Sequence, residues 1–283
     1  SAASDVYKRQ GRGCGFCGDL GRLELELSGD FPYLCGKLQR LIWQREIAVV
    51  KRLIIRISYE ISLTLNMKKL EHLLAEKLLN VSAIKLQPEN PFTWASGWNS
   101  PIYTDNRRTL SYPEVRTFIK TELCRTIMEN FPRPDVIAGV ATGAIAQGAL
   151  VADNMGLPYV YVRSTPKDHG LENLIEGNLT HGQKVLVIED LVSTGKSSLK
   201  AVEAIRMAGG EVVGMVAMFT YGFPVADKAF KEAGVKLVTL SNYDALLQVA
   251  LSTGFIGEKD IETLQQWRKD PGNWTPSRDK SID

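Results

Sequence analysis

Cysteine and histidine are scarce in this chain, and both scarcities narrow the field. Three of the four cysteines (Cys14, Cys17 and Cys35) precede Met67, and Cys124 alone follows it. A disulfide framework is therefore excluded from the later part, which suits a reducing cytoplasm. The Cys14-x-x-Cys17 spacing is that of metal ligands, but a zinc site needs a second pair and none is present. Of the three histidines, His72 and His181 stand in no catalytic pattern. Long apolar runs are missing too. The segment 46–65 is broken by Lys51, Arg52, Arg56 and Glu60, too often for a membrane span. It also lacks the compact apolar stretch and small-residue cleavage site of a signal peptide. Charge of one sign is equally absent: 34 basic against 32 acidic residues leave a formal +2, so no nucleic-acid or membrane partner is expected.

The chain changes character near Met67. Before it lie Ser1–Gln10, a Gly/Arg/Cys-rich patch at 11–18 and no sustained hydrophobic period. Residues 1–66 are expected to be a poorly ordered extension outside the folded domain. They read either as upstream DNA translated in frame, with Met67 the start, or as a divergent N-terminal addition. The small basic excess comes from this part, and the remainder is close to neutral.

From Met67 a helix is expected to Asn80, with Leu70, Leu74 and Leu78 on one stripe. An irregular, aromatic-rich segment at 88–112 completes an N-terminal hood spanning 67–112. The core, 113–270, opens at Pro113 with a helix whose Val115, Ile119, Leu123 and Ile127 recur every four residues. Strands then alternate with helices: strands at 136–140, 159–162, 185–188, 211–219 and 235–240, helices at 144–154, 197–208, 225–233, 243–252 and 258–268. A polar loop fills 163–182, and the tail from 271 to 283 is expected to be disordered. Apolar runs bounded by helices mark an α/β fold, a mostly parallel sheet covered on both faces. Ligands gather at the carboxyl ends of such strands, where the segments 141–148, 163–182, 189–198 and 220–224 converge.

The run Lys184-Val-Leu-Val-Ile-Glu189-Asp190-Leu-Val-Ser193-Thr194-Gly195-Lys196-Ser197-Ser198 carries most of the chemistry. A buried strand ends in two acids, and a small hydroxyl-rich turn leads into a helix. The Gly195-Lys196-Ser197 triplet is not an ATP-binding loop, because the glycine required five residues earlier is Asp190. The backbone N–H groups and hydroxyls of Ser193, Thr194, Gly195, Lys196, Ser197 and Ser198 suit a terminal phosphate. Glu189 and Asp190 suit the hydroxyls of a sugar, and favour positive charge developing on its ring. The bland alternative is a solvated strand end followed by an ordinary helix cap. Arg163, Lys167 and His169 load the loop at 163–182 with cations, and Gly170, Gly177 and Gly182 make it a plausible lid.

Four segments together resemble the orotate phosphoribosyltransferase family, within the wider type I phosphoribosyltransferases. They are Phe92-Thr-Trp-Ala-Ser-Gly97, Ser100-Pro-Ile-Tyr-Thr-Asp-Asn-Arg107, Tyr161-Val-Arg-Ser-Thr-Pro-Lys-Asp-His-Gly170 and Val185-Leu-Val-Ile-Glu-Asp-Leu-Val-Ser-Thr-Gly195. The resemblance runs from about Met67 to Pro271 and implies the type I phosphoribosyltransferase fold. It implies transfer of phosphoribose from 5-phosphoribosyl 1-diphosphate to orotate, with Mg2+ carried on the diphosphate rather than by a protein metal site. In that reading Glu189 and Asp190 hold the ribose hydroxyls, and residues 193–198 the 5'-phosphate. Arg163, Lys167 and His169 grip the diphosphate, with lid residues shared across a homodimer. Thr142 and Gly143 offer backbone groups to the same diphosphate, and Ser96, Gly97 and Thr194 lie near orotate.

Several positions depart from the commonest family pattern. Ala95, Trp98, Gly143 and Ser164 stand where basic residues are frequent, and Thr220-Tyr221 replaces an Asp-Arg pair. The orotate carboxylate then lacks its usual partner, and Arg107 is the substitute candidate, ahead of Arg108. Two rivals remain open on sequence grounds: a purine or xanthine phosphoribosyltransferase, and a non-catalytic regulator of the same fold.

Overall fold

The structure, a computed structural model, describes residues 70–94, 97–165 and 174–275. The extension at 1–66 and the expectations attached to Ser96, Lys167 and His169 lie outside the described residues. Residues 70–80 form helix α1, which buries Leu70, Leu74 and Leu78 as their spacing requires. The hood continues through four short strands: β1 (Ile84–Leu86), β2 (Phe92–Thr93), β3 (Asn99–Ser100) and β4 (Ile102–Thr104). They pair antiparallel as β1 with β4 and β2 with β3, and a 3-10 helix, Asn106–Ser111, closes the hood.

The core elements follow in chain order: α2 (Pro113–Asn130), β5 (Val136–Val140), α3 (Ile145–Met155), β6 (Tyr159–Val162), β7 (Ile175–Glu176) and β8 (Lys184–Val192). After them come α4 (Lys196–Met207), β9 (Glu211–Thr220), α5 (Pro224–Glu232), β10 (Leu237–Asn242), α6 (Tyr243–Ser252) and α7 (Glu258–Lys269). Pro113 occupies the first turn of α2, where its missing N–H costs nothing. Among the described residues these strands form a six-stranded sheet in the order β10-β9-β8-β5-β6-β7, parallel except for β7.

Successive strand residues face opposite sides of a sheet. Ile137, Leu186, Ile188, Val216 and Met218 accordingly pack into one buried cluster with α1, α2, α3, α6 and α7. Val136, Ala138, Val185, Val187, Met215 and Ala217 pack into a second with α4 and α5. No described helix is long and apolar enough to cross a membrane.

Four expectations from the sequence are corrected. The loop at 163–182 contains β7, antiparallel to β6, so it is anchored at its distal end. The last strand starts at Leu237 rather than Val235 and runs on to Asn242. Of the tail expected at 271–283, residues 271–275 still pack, with Trp274 against the larger cluster and Gly272 near the Trp98 ring, while 276–283 lie outside the described residues. Most consequentially, the central strand β8 does not stop at Ile188 but continues to Val192, which places Glu189 and Asp190 within the strand.

Candidate active site

Because the pleat continues through β8, Glu189 and Asp190 leave opposite faces. Glu189 turns toward α4 and is 3% exposed. Its Oε2 accepts from the Ser198 hydroxyl at 2.7 Å, and its Oε1 accepts from the Asp190 backbone N–H at 3.0 Å. Asp190 turns toward the turn ahead of α3 and the hood. Its carboxylate lies so close to the Gly143 α-carbon that a β-carbon there would overlap it. The two acids are therefore not equivalent partners of one polyol, as the strand-end reading had them. Asp190, half-buried, stands at the rim, while Glu189 ties strand β8 to the start of α4. Burial raises the pKa of both carboxyls, most strongly for Glu189, where the neighbouring Asp190 charge adds to it.

The turn between β8 and α4 has the form expected of an anion cradle. Gly195 is the cap of α4 at φ +80°, a left-handed conformation that glycine adopts without strain. Lys196 and Ser197 are exposed, Ser193 and Thr194 half-buried, and Ser198 buried. The Ser198 hydroxyl is committed to Glu189, so this residue brings its backbone rather than its side chain to any anion. A cavity of about 600 Å³ opens beside the turn. Thr194, Lys196, Ser197 and Lys200 line one side of it, Ala141 and Arg163 the other. Three of the four polar segments expected at the sheet rim thus meet there. Arg163 is half-buried at the end of β6, with Nη1 3.5 Å from Glu176 Oε1 on β7. Thr142, exposed, and Gly143 occupy the turn between β5 and α3, where the Ala141–Thr142 peptide is cis.

The hood closes over the same rim. Asn106 donates from Nδ2 to the Asp190 carbonyl at 2.7 Å, and Tyr221 donates to Thr104 Oγ1 at 3.0 Å. Tyr221 is the residue that breaks the Asp-Arg pattern. It is buried with its ring 5.7 Å from Trp94 in a stacked arrangement and 5.6 Å from Trp267 edge-on. Burial raises its phenol pKa, so it stays neutral and can donate. Gly97, exposed and at φ +83°, lies between β2 and β3. Arg107 is exposed and pairs with Asp105 at 2.7 Å, and that bond, with a lesser contribution from Asp190, raises its pKa. Its guanidinium therefore feels the Asp190 charge. Asn106 lies within the 100–107 segment. Its partner is 84 positions away, and no local pattern announces such a bond.

Comparison with known proteins decides the family. The phosphoribosyl transferase domain matches residues 118–246. An orotate phosphoribosyltransferase of Bacteroides fragilis is 70% identical over 208 residues, covering 74% of this chain and 98% of that protein. The chain belongs to the orotate phosphoribosyltransferases. A solved family member from Aeropyrum pernix superposes with a TM-score of 0.57 at 28% identity, covering 65% of this chain and 99% of its own. Another, from Mycobacterium tuberculosis H37Rv in complex with 5-phospho-alpha-D-ribosyl 1-diphosphate, gives 0.50 at 26% identity, covering 64% and 99%.

Among the described residues no group of three or more His, Cys, Asp or Glu is placed to hold a metal ion. What the rim of this family member does offer is Asp190, a half-buried carboxylate near the turn that opens α4. Such a donor set fits a hard cation that keeps most of its water and takes its remaining oxygens from a bound phosphate.

Proposed function

We propose that this protein transfers the 5-phosphoribosyl group of 5-phosphoribosyl 1-diphosphate to orotate, giving orotidine 5'-monophosphate and diphosphate. The observation that carries the reading is the placement of Asp190. It stands between a turn stripped of side chain at Gly143 and a hood bonded to its own carbonyl, next to a helix start shaped for phosphate. Identity of 70% to a named family member supports the choice of base.

In this reading Asp190 accepts the ribose hydroxyls, and Glu189 holds Asp190 and the phosphate turn in register. Backbone groups from Thr194 to Ser198, with the Lys196 ammonium, take the 5'-phosphate. Arg163, with Lys167 and His169 of the lid, takes the diphosphate beside the Thr142–Gly143 turn. Ser96, Gly97, Thr194 and Arg107 surround orotate, and Arg107 supplies the cation for its carboxylate. The orotate ring N–H gives up its proton to solvent as that nitrogen forms a bond to the sugar C1 and the bond from C1 to diphosphate breaks. The electron pair leaves with the diphosphate, and Asp190 favours the positive charge that develops on the ring. No side-chain base is required, so rate comes from alignment and electrostatics.

Asp190 is the carboxylate that would face Mg2+ carried on the diphosphate, and the ion would supply positive charge to offset that of the leaving group. The reading also includes a homodimer that exchanges lid residues and a cytoplasmic location. It places the activity in the hood and core from residue 67 onward.

The test is incubation of the full chain with the diphosphate sugar, magnesium and orotate, with product separated by chromatography. Formation of orotidine 5'-monophosphate is expected. Turnover of hypoxanthine but not orotate would move the protein to the purine reading. Sugar binding without turnover of any base would favour a regulator.

A further inference from the structure

The ladder between β8 and β5 ends at Ile188, so Asp190 lies beyond the strand that would otherwise hold it on that side. Side chains do this work instead. The Asp190 backbone N–H is taken by Glu189 Oε1, and its carbonyl by Asn106 Nδ2. Asn106 is 2% exposed, and its Oδ1 is buried with no partner. A carboxamide kept in such a place with one end unsatisfied adds little net stability, which points to the bond at its other end.

Asn106 is itself rigidly mounted. Thr109 donates its hydroxyl to the Asn106 carbonyl at 2.6 Å. The preceding Asp105 donates its N–H to Ala83 O at 2.7 Å and accepts from Arg107 Nε at 2.7 Å. The group gripping the sugar-side strand, on Asn106, is therefore next in sequence to Arg107, the cation assigned to the base. A displacement at Asn106 shifts both reactants' anchors relative to one another, and an ångström of misalignment is enough to cost about a hundredfold in rate.

We infer that Asn106 is a positioning residue for the transfer reaction, fixing the base-binding hood against the sugar-binding strand through the Asp190 carbonyl. The inference rests on the proposed function and adds to it a bond that sets the distance between nucleophile and sugar carbon. Asn106 touches neither reactant.

The test compares Asn106→Ala and Asn106→Ser with Ser241→Ala. Ser241 makes a buried bond of similar kind, its hydroxyl donating to Glu71 O at 2.8 Å between β10 and α1. Three readings are taken on the full chain: kcat at saturating orotate and diphosphate sugar, the calorimetric Kd for ribose 5-phosphate, and the melting temperature. The Asn106 variants should lose at least about tenfold in kcat and bind ribose 5-phosphate about threefold more weakly or worse. Ser241→Ala should lower the melting temperature while both functional readings stay within about twofold. Asn106 variants that keep wild-type kcat and sugar affinity would overturn the inference. So would a Ser241→Ala that loses function in step with stability, or failure of both Asn106 variants to fold, since the residue would then be structural. Absence of orotate turnover by the wild type would count against the proposed function alone, and the ribose 5-phosphate arm would still decide the role of Asn106.

Discussion

Replacing Gly143 by Ala is the sharpest perturbation the site allows, because a single methyl group would occupy space held by the Asp190 carboxylate. All three atoms of that carboxylate group lie inside normal contact distance of where the new β-carbon would be. Gly143 itself needs no left-handed backbone, so the cost is purely steric. Overpacking of this kind destabilises by about 1–3 kcal/mol. The larger consequence falls on rate, since the carboxylate must retreat by roughly an ångström and a shift of that size costs about a hundredfold. Steady-state kinetics should show kcat/KM for the diphosphate sugar falling by about that factor. A double-mutant cycle with Asp190→Ala separates the clash from general damage. In the Asp190→Ala background the methyl group has room, so most of the stability loss should vanish, a coupling of about 1–3 kcal/mol. Additive losses, or a Gly143→Ala enzyme with unchanged kcat/KM, would refute the placement of Asp190 against this turn.

Asp190→Asn keeps shape but removes the charge, and should lower kcat/KM by about 100- to 1,000-fold, as loss of a transition-state electrostatic contact does. Glu189→Gln tests the buried acid through pH. Its folded pKa lies well above the ordinary value, so the folded state holds the proton more tightly and stability from this group is lost as pH rises past about 4.5. Urea unfolding at pH 5 and pH 8 should show Glu189→Gln losing less stability between them than the wild type; equal slopes would contradict the burial. Arg107→Met should raise KM for orotate by about tenfold or more, the loss of a charge-assisted bond, with a much smaller change for the sugar. Tyr221→Phe removes the donor to Thr104 and should cost about 1 kcal/mol in thermal or denaturant unfolding.

The sheet was legible because parallel strands buried on both faces are written as short apolar runs, and Val136–Val140 and Tyr159–Val162 begin and end where those runs do. The carboxyl-end convergence followed from that order alone. What hid the true extent of β8 was its polar end: Glu189 and Asp190 look like a strand end by polarity, yet the ladder with β9 carries on through them to Val192. With the strand cut short, the pleat could not separate the two acids, and they read as a matched pair. The hood was illegible for a different reason. Strands of two or three residues, such as Phe92–Thr93, are too short to carry a period. Their placement comes from long-range contacts such as Trp94 on Tyr221 and Asn106 on Asp190, for which adjacent residues give no sign. Tyr221 was visible only as a departure from the expected Asp-Arg, and the structure gives that departure a job in seating the hood.

A crystal structure of the full chain grown with ribose 5-phosphate bears most directly on the central claim, that one rim holds both ends of a sugar phosphate. The expected density has the phosphate on the 194–198 turn and the sugar hydroxyls on Asp190, with the Asn106 bond to the Asp190 carbonyl intact. A sugar phosphate bound elsewhere, or bound at the turn with its hydroxyls directed away from Asp190, would contradict it.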